Sequence, residues 1–354
     1  MNRVEMLAEK LPDERTAALV MSPLSLRYLC GTTVESGIAF VAKEQSFLYV
    51  EERLVPQISA KTSGFKVTAF KNRRQLLDLL VKYGIKRVLV EADKITLAEW
   101  KAFKEELHYA ELSDSAELSY WLSQMRQCKS PDELAAIEKA QSVCDEAYER
   151  LLCNIRKGMT ERQIATMLDF YLVEFGSEGM PFPTSVLSGE NTSDPYLKPS
   201  NRKTREGDLI IMEFGAVSGG YCAKMSRTIA AGSIDARLEN AYNAVSCAIS
   251  DGIRALRGGI GGKVADSVAR STLNAWKMDQ FGQPNFAHGV GLETYEPPYL
   301  GQDSGTMLKA GEVLAVFCDV RVRDIFGIKI GDKAMLTDEG CQVFTKATKS
   351  LVHI

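Results

Sequence analysis

Histidine is scarce in this chain. His108, His288 and His353 are the only three among 354 residues, too few for a multi-histidine metal site. His288 stands in the string His288-Gly289-Val290-Gly291-Leu292-Glu293-Thr294-Tyr295-Glu296-Pro297-Pro298, so a phenol and a carboxylate follow it closely. Upstream, Glu213 and Lys224 flank a glycine-containing turn, and downstream Phe317, Asp319 and Arg321 alternate along one apolar run. Imidazole, carboxylate and ammonium groups are those that move protons, grip cations and stabilise developing negative charge. The eight cysteines (30, 128, 144, 153, 222, 247, 318 and 341) include no C-x-x-C pair, which points to buried reduced thiols rather than zinc or redox work.

These groups need elements to hold them. Leu209 to Val217 and Tyr221 to Ile229 read as a β-hairpin around Ser218-Gly219-Gly220. A turn centred on Ser218-Gly219 sets Glu213 directly opposite Lys224, whereas a turn centred on Gly219-Gly220 keeps the two diagonal on one face. Either turn brings the carboxylate near the ammonium. Asp319 shares strand parity with Phe317 and Arg321, while Asp332 points away from the face of Gly331. If Arg321 shares the cleft face, it offers a fork for an anionic group such as a carboxylate.

Helix punctuation is plain in the second part of the chain. Ser130-Pro131-Asp132-Glu133 supplies an N-cap, a proline at the first helical position and a capping-box Glu. Leu134, Ile137, Ala140, Cys144, Ala147 and Leu151 then form one apolar stripe, and Thr160-Glu161-Arg162-Gln163 caps the next helix. A linker helix is expected near 120–158. In the first part, Ala17–Met21, Ser46–Val50 and Arg87–Glu91 read as short strands of a small α/β domain. The run Arg257-Gly258-Gly259-Ile260-Gly261-Gly262-Lys263 lacks the phosphate-loop register and reads as a helix connection.

With 45% hydrophobic and 25% charged residues, the chain is an ordinary globular one, long enough for two cores. A net charge of -3 gives no footprint for nucleic acid or an anionic membrane, and no apolar run is long enough to span a bilayer. The start Met1-Asn2-Arg3-Val4-Glu5 lacks a signal-peptide core, so a cytoplasmic protein is expected.

The string at His288 resembles the active-site signature of the creatinase, prolidase and aminopeptidase P family. The likeness extends over nearly the whole chain, including Leu26-Arg27-Tyr28-Leu29-Cys30-Gly31. It implies an α+β chain: a smaller ribonuclease H-like α/β domain over residues 1–122, then a pita-bread domain over 123–354, with homodimerisation as in relatives. In peptidases of that family two divalent ions are held by an Asp, a second Asp eleven residues later, a His and two late Glu residues. The matching positions here hold Glu213, Lys224, His288, Phe317 and Gly331, and two further family histidines match Tyr196 and Tyr295. Only His288 is unchanged.

An ammonium 4 Å from a dication is repelled by about 8 kcal/mol at an effective dielectric near 20, so Lys224 opposes a metal at its position. No metal or other cofactor is expected, though Asp319 is the acid best placed to rebuild a different site. Creatinases in this family hydrolyse a small C–N bond without metal. That precedent leads to a metal-independent hydrolase or lyase acting on a small amino-acid-like or guanidino compound. In this reading His288 is the base, Glu213 orients it or grips a cation, and Lys224 or Tyr196 stabilises developing negative charge. Tyr295, Glu296, Phe317, Asp319 and Arg321 would contact the ligand, a small molecule or short peptide. Two alternatives stand beside it: an inactive pseudopeptidase that binds a peptide or metabolite, and an Xaa-Pro dipeptidase or aminopeptidase with a rebuilt metal site.

Overall fold

The computed structural model describes residues 1–354 and divides them into two compact units, Met1–Arg126 and Gln127–Ile354. The first contains helices α1 (Arg3–Lys10), α2 (Pro23–Cys30), α3 (Val55–Ser59), α4 (Arg74–Lys82), α5 (Leu97–Glu106) and α6 (Glu117–Gln127), the last reaching one residue past the division. Its strands are β1 (Thr16–Val20), β2 (Ile38–Val41), β3 (Phe47–Val50), β4 (Lys66–Ala69), β5 (Arg87–Val90) and β6 (Glu111–Ser113). They form one sheet in the order β4-β3-β2-β1-β5-β6, with β1, β2 and β3 antiparallel and β1, β5 and β6 parallel. This is the ribonuclease H-like arrangement. Leu19, Phe40, Leu76, Leu80, Val88 and Phe103 fill its core.

The boundary falls at Arg126 rather than residue 122, and the expected linker helix is two helices. Leu118, Leu122 and Met125 of α6 are buried, and the Tyr28 hydroxyl donates to the Met125 carbonyl at 2.7 Å, which ties α6 to the first unit. Helix α7 (Pro131–Asn154) begins afresh, its Ser130 and Glu133 closing a full capping box. Pro131 disfavours helical backbone at Ser130, so the cap signal prevails over a continuous helix.

The second unit also holds α8 (Glu161–Glu174), α9 (Ala236–Ala255) and α10 (Lys263–Ala275). Its strands are β7 (Ser185–Ser188), β8 (Leu209–Phe214), β9 (Val217–Ser218), β10 (Tyr221–Cys222), β11 (Met225–Ala230), β12 (Ala287–Gly289), β13 (Glu296–Leu300), β14 (Val313–Val322), β15 (Phe326–Leu336) and β16 (Cys341–Val343). The large antiparallel sheet runs β13-β12-β14-β15-β11-β8-β7, with β16 on β15. This is the pita-bread fold.

Period-two alternation assigns the two faces of this sheet. Val316, Val320, Ile328 and Ile330 pack against α9 and α10, and Met212, Phe214 and Met225 pack against α7 and α8. The opposite face is left for polar groups. The hairpin takes the Gly219-Gly220 turn: Ser218 pairs with Tyr221, and Glu213 pairs with Ser226 rather than with Lys224. Gly219 and Gly220 have φ of 54° and 77°, the left-handed backbone a two-residue turn of this kind demands and Ser218 would adopt at a cost.

Candidate functional site

Register builds the site. Glu213, Ser226, Gly331 and Phe317 lie on one rung across β8, β11, β15 and β14. Two residues to one side, His288, Ala315 and Lys333 form a rung across β12, β14 and β15; two residues to the other side, Asp319 pairs with Lys329. Rungs two residues apart face the same side. The face away from the helices therefore carries one imidazole, two carboxylates and two ammonium groups, with Arg321 one step further.

Glu213 is the centre of this cluster. Its Oε2 accepts from the Lys329 ammonium at 2.8 Å and lies 3.9 Å from the Lys224 ammonium, while Oε1 is 4.0 Å from Arg321. Burial raises the Glu213 carboxyl, but Lys329, Lys224 and Arg321 together outweigh it and hold the group below its ordinary value. Asp319 is occupied by Arg321 in a bidentate pair at 2.8 and 3.0 Å, with Lys329 at 3.5 Å. Arg321 also donates to the Thr192 carbonyl at 2.6 Å. Arg321, Lys224 and Lys329 bring three positive charges against two negative ones from Glu213 and Asp319.

The Phe317 ring takes no part in that neutralisation. Lys329 and Lys224 stand 5.1 and 5.9 Å from its centroid, a cation–π arrangement, and the His288 ring lies at 5.7 Å. Burial lowers the Lys224 ammonium below its ordinary value, Glu213 opposes the shift and Lys329 adds to it. Lys333 is fully buried, donates to the Cys222 carbonyl at 3.0 Å, and burial pushes its ammonium down to about 8.

His288 is buried, and its Nδ1 donates to the Gly289 carbonyl at 2.9 Å. That bond fixes the tautomer, so Nε2 carries a lone pair, and this atom has no hydrogen-bond partner. Burial, with Lys224, Lys333 and Lys329 adding to it, lowers the imidazole to about 3. Because the folded-state value lies below the unfolded one, stability is present above pH 6.5 and is lost as pH falls toward the folded value. Between pH 7 and pH 5 the loss from this group is about 2 kcal/mol. The expected result is that His288→Gln removes about that much of the pH 5 to 7 difference in urea-unfolding free energy; an unchanged difference would contradict the assignment.

Other expected site residues lie differently. Tyr196 is 91% exposed, and its side chain makes no hydrogen bond to His288, Glu213 or Lys224. Glu296 is buried and accepts from the Lys129 ammonium at 2.9 Å, a strut between the start of the unit and β13 rather than a contact offered to a ligand. Tyr295 is half-exposed, stacks on Tyr299 at 4.9 Å and lies 4.3 Å from the His288 ring, so it forms an open aromatic wall. Lys329, Lys333 and Lys129 were not anticipated as members of the cluster. The first two are legible by parity, since Gly327, Lys329, Gly331 and Lys333 alternate with Ile328, Ile330 and Asp332 along β15.

The donors do not suit a metal ion. No group of three or more His, Cys, Asp or Glu side chains is gathered to hold one. Asp319 is taken by Arg321 through both oxygens and Glu213 Oε2 by Lys329, and the remaining oxygen of Glu213 faces Arg321 at 4.0 Å, so the carboxylates are already set against cations; the buried His288 Nε2 has no hydrogen-bond partner. Asp319, the acid best placed to rebuild a site, is held by Arg321.

Comparison with known proteins places this architecture. Residues 3–128 match the creatinase/prolidase N-terminal domain, and residues 135–338, more than half the chain, match metallopeptidase family M24. An uncharacterized peptidase of Bacillus subtilis is 27% identical over 94% of each chain. The Xaa-Pro dipeptidase from Bacillus anthracis superposes with a TM-score of 0.93 at 26% identity, covering 99% of this chain and 98% of that one. The X-Pro aminopeptidase from Thermotoga maritima gives 0.92 at 25% identity over 100% of both. With its amino-terminal domain and pita-bread unit both matched, the chain belongs to metallopeptidase family M24.

Proposed function

We propose that this chain is an Xaa-Pro-peptidase-like protein whose cleft takes short peptides or peptide-like ligands, with lysines supplying the positive charge at its floor. In this reading it carries out no metal-dependent hydrolysis. The observation that carries it is Glu213 held by Lys329 and Lys224, beside Phe317 and Gly331 on the same rung. The peptide ligand class rests on family membership and on the Xaa-Pro enzymes to which the chain is similar from end to end.

The creatinase-like hydrolase reading finds no support. An imidazole lowered to about 3 is a poor general base near neutrality, and Tyr196 is outside the cluster. A second reading, an Xaa-Pro dipeptidase or aminopeptidase with a rebuilt metal site, is favoured by the extent of the likeness to the Bacillus anthracis enzyme. Calorimetric titration with the dipeptide Ala-Pro in chelator, followed by assay of proline release with and without manganese, separates the two. Binding in chelator with no proline released under either condition is the expected result. Manganese-dependent release of proline would establish the second reading instead.

A further inference from the structure

The cluster holds an ammonium donor and a buried imidazole acceptor that the protein itself does not hydrogen-bond. The Lys224 ammonium makes no hydrogen bond: the one carboxylate within 4 Å is Glu213 at 3.9 Å, and that oxygen is already taken by Lys329 at 2.8 Å. Of the three cations around Glu213, Lys224 is also the most accessible, its side chain 23% exposed against 10% for Lys329 and 3% for Arg321. The unused acceptor is His288 Nε2, buried and without a partner. Both groups flank the Phe317 ring, at 5.9 and 5.7 Å from its centroid. The charges near Glu213 leave one positive unit over. Buried polar groups are rarely left without partners, so a ligand that satisfies both atoms is the chemical complement of this face.

We infer that the Lys224 ammonium receives a free carboxylate of the bound ligand while His288 Nε2 accepts one of its N–H or O–H groups. The ligand is thus a small monocarboxylate with a nearby donor, such as an amino acid or short peptide, seated carboxylate-first on Lys224. An ammonium and a carboxylate form a charge-assisted bond that neutralises the unit in excess. The Tyr295–Tyr299 pair, half-exposed beside His288, gives the apolar part of such a ligand a flat wall. The inference rests on the proposed peptide ligand class and adds which end of the ligand meets the lysines.

The test compares Ala-Pro with its carboxy-terminal amide, Ala-Pro-NH2, by calorimetry on the full chain in chelator. The free acid is expected to bind about tenfold or more tighter than the amide, the range of a lost hydrogen bond to a charged group. In Lys224→Met that preference is expected to shrink to about twofold or less, and in Lys224→Arg to return, which separates lost charge from lost folding. Equal affinity of acid and amide for the wild-type chain overturns the carboxylate-first inference and leaves the peptide reading standing. Binding of neither overturns both.

Discussion

Glu213→Gln is expected to lower the unfolding temperature of the carboxy-terminal unit by about 10 °C in the presence of chelator. Gln preserves the shape of the side chain and deletes only its charge, so cavity formation is not at issue. What is lost is the partner of Lys329 at 2.8 Å and the field that offsets Lys224 and Arg321 at 3.9 and 4.0 Å. Removing one member of a buried ion pair and leaving the others uncompensated costs about 3–5 kcal/mol, and each kcal/mol is worth about 2–4 °C in a unit of this size. The sign is diagnostic. Where several carboxylates gather around an absent metal, they repel one another, and neutralising one relieves the fold. Here the carboxylate is outnumbered by cations. A melting temperature that rises in Glu213→Gln would show that Lys224 and Lys329 do not carry the charge assigned to them.

The second large effect comes from exchanging the lysines for ligands. The combination Lys224→Asp, Lys329→Gln and Phe317→Glu changes the formal charge by −2, −1 and −1, in total the −4 that two divalent ions would balance. It leaves Glu213 and His288 in place and keeps Gly331, whose added Cβ would lie only 3.1 Å from Ser226 Oγ. Without metal this variant gathers carboxylates on one face and is expected to unfold at lower temperature than the wild-type chain. With manganese at about a hundred times its dissociation constant, binding returns about 2.7 kcal/mol, or roughly 5–11 °C. Thermal melts across a manganese titration check this. The wild-type chain is expected to show no such rise, and a wild-type rise equal to that of the variant would refute the claim that lysines exclude the ion.

Much of the fold is written locally. Ser130 and Thr160 announce their helices through complete capping boxes, and strands of the first unit stand out as short apolar runs. The hairpin register was ambiguous between two turns because three small residues, Ser218, Gly219 and Gly220, adjoin. Only the Gly-Gly choice puts glycine at both left-handed positions. The site was legible where a motif or a single strand defined it, as for His288, Glu213 and the shared face of Asp319 and Arg321, while the ion pair that joins those last two was not. Lys329 lies outside any motif, two residues before Gly331, and only strand parity puts both on one face. The Lys129–Glu296 strut joins residues 167 positions apart, and no local pattern foretells such a pair. Tyr196 failed for a related reason: its segment has no strand or helix register to fix where the side chain points, and the side chain lies in solvent.

In the proposed function, ammonium groups stand at positions where the family resemblance implies metal ligands. The most direct test is elemental analysis of the wild-type protein expressed with added manganese, cobalt and zinc and then gently desalted. The expected result is a metal content indistinguishable from that of a non-metalloprotein carried through the same steps. About two ions per chain, the complement of a dinuclear hydrolase, would contradict it.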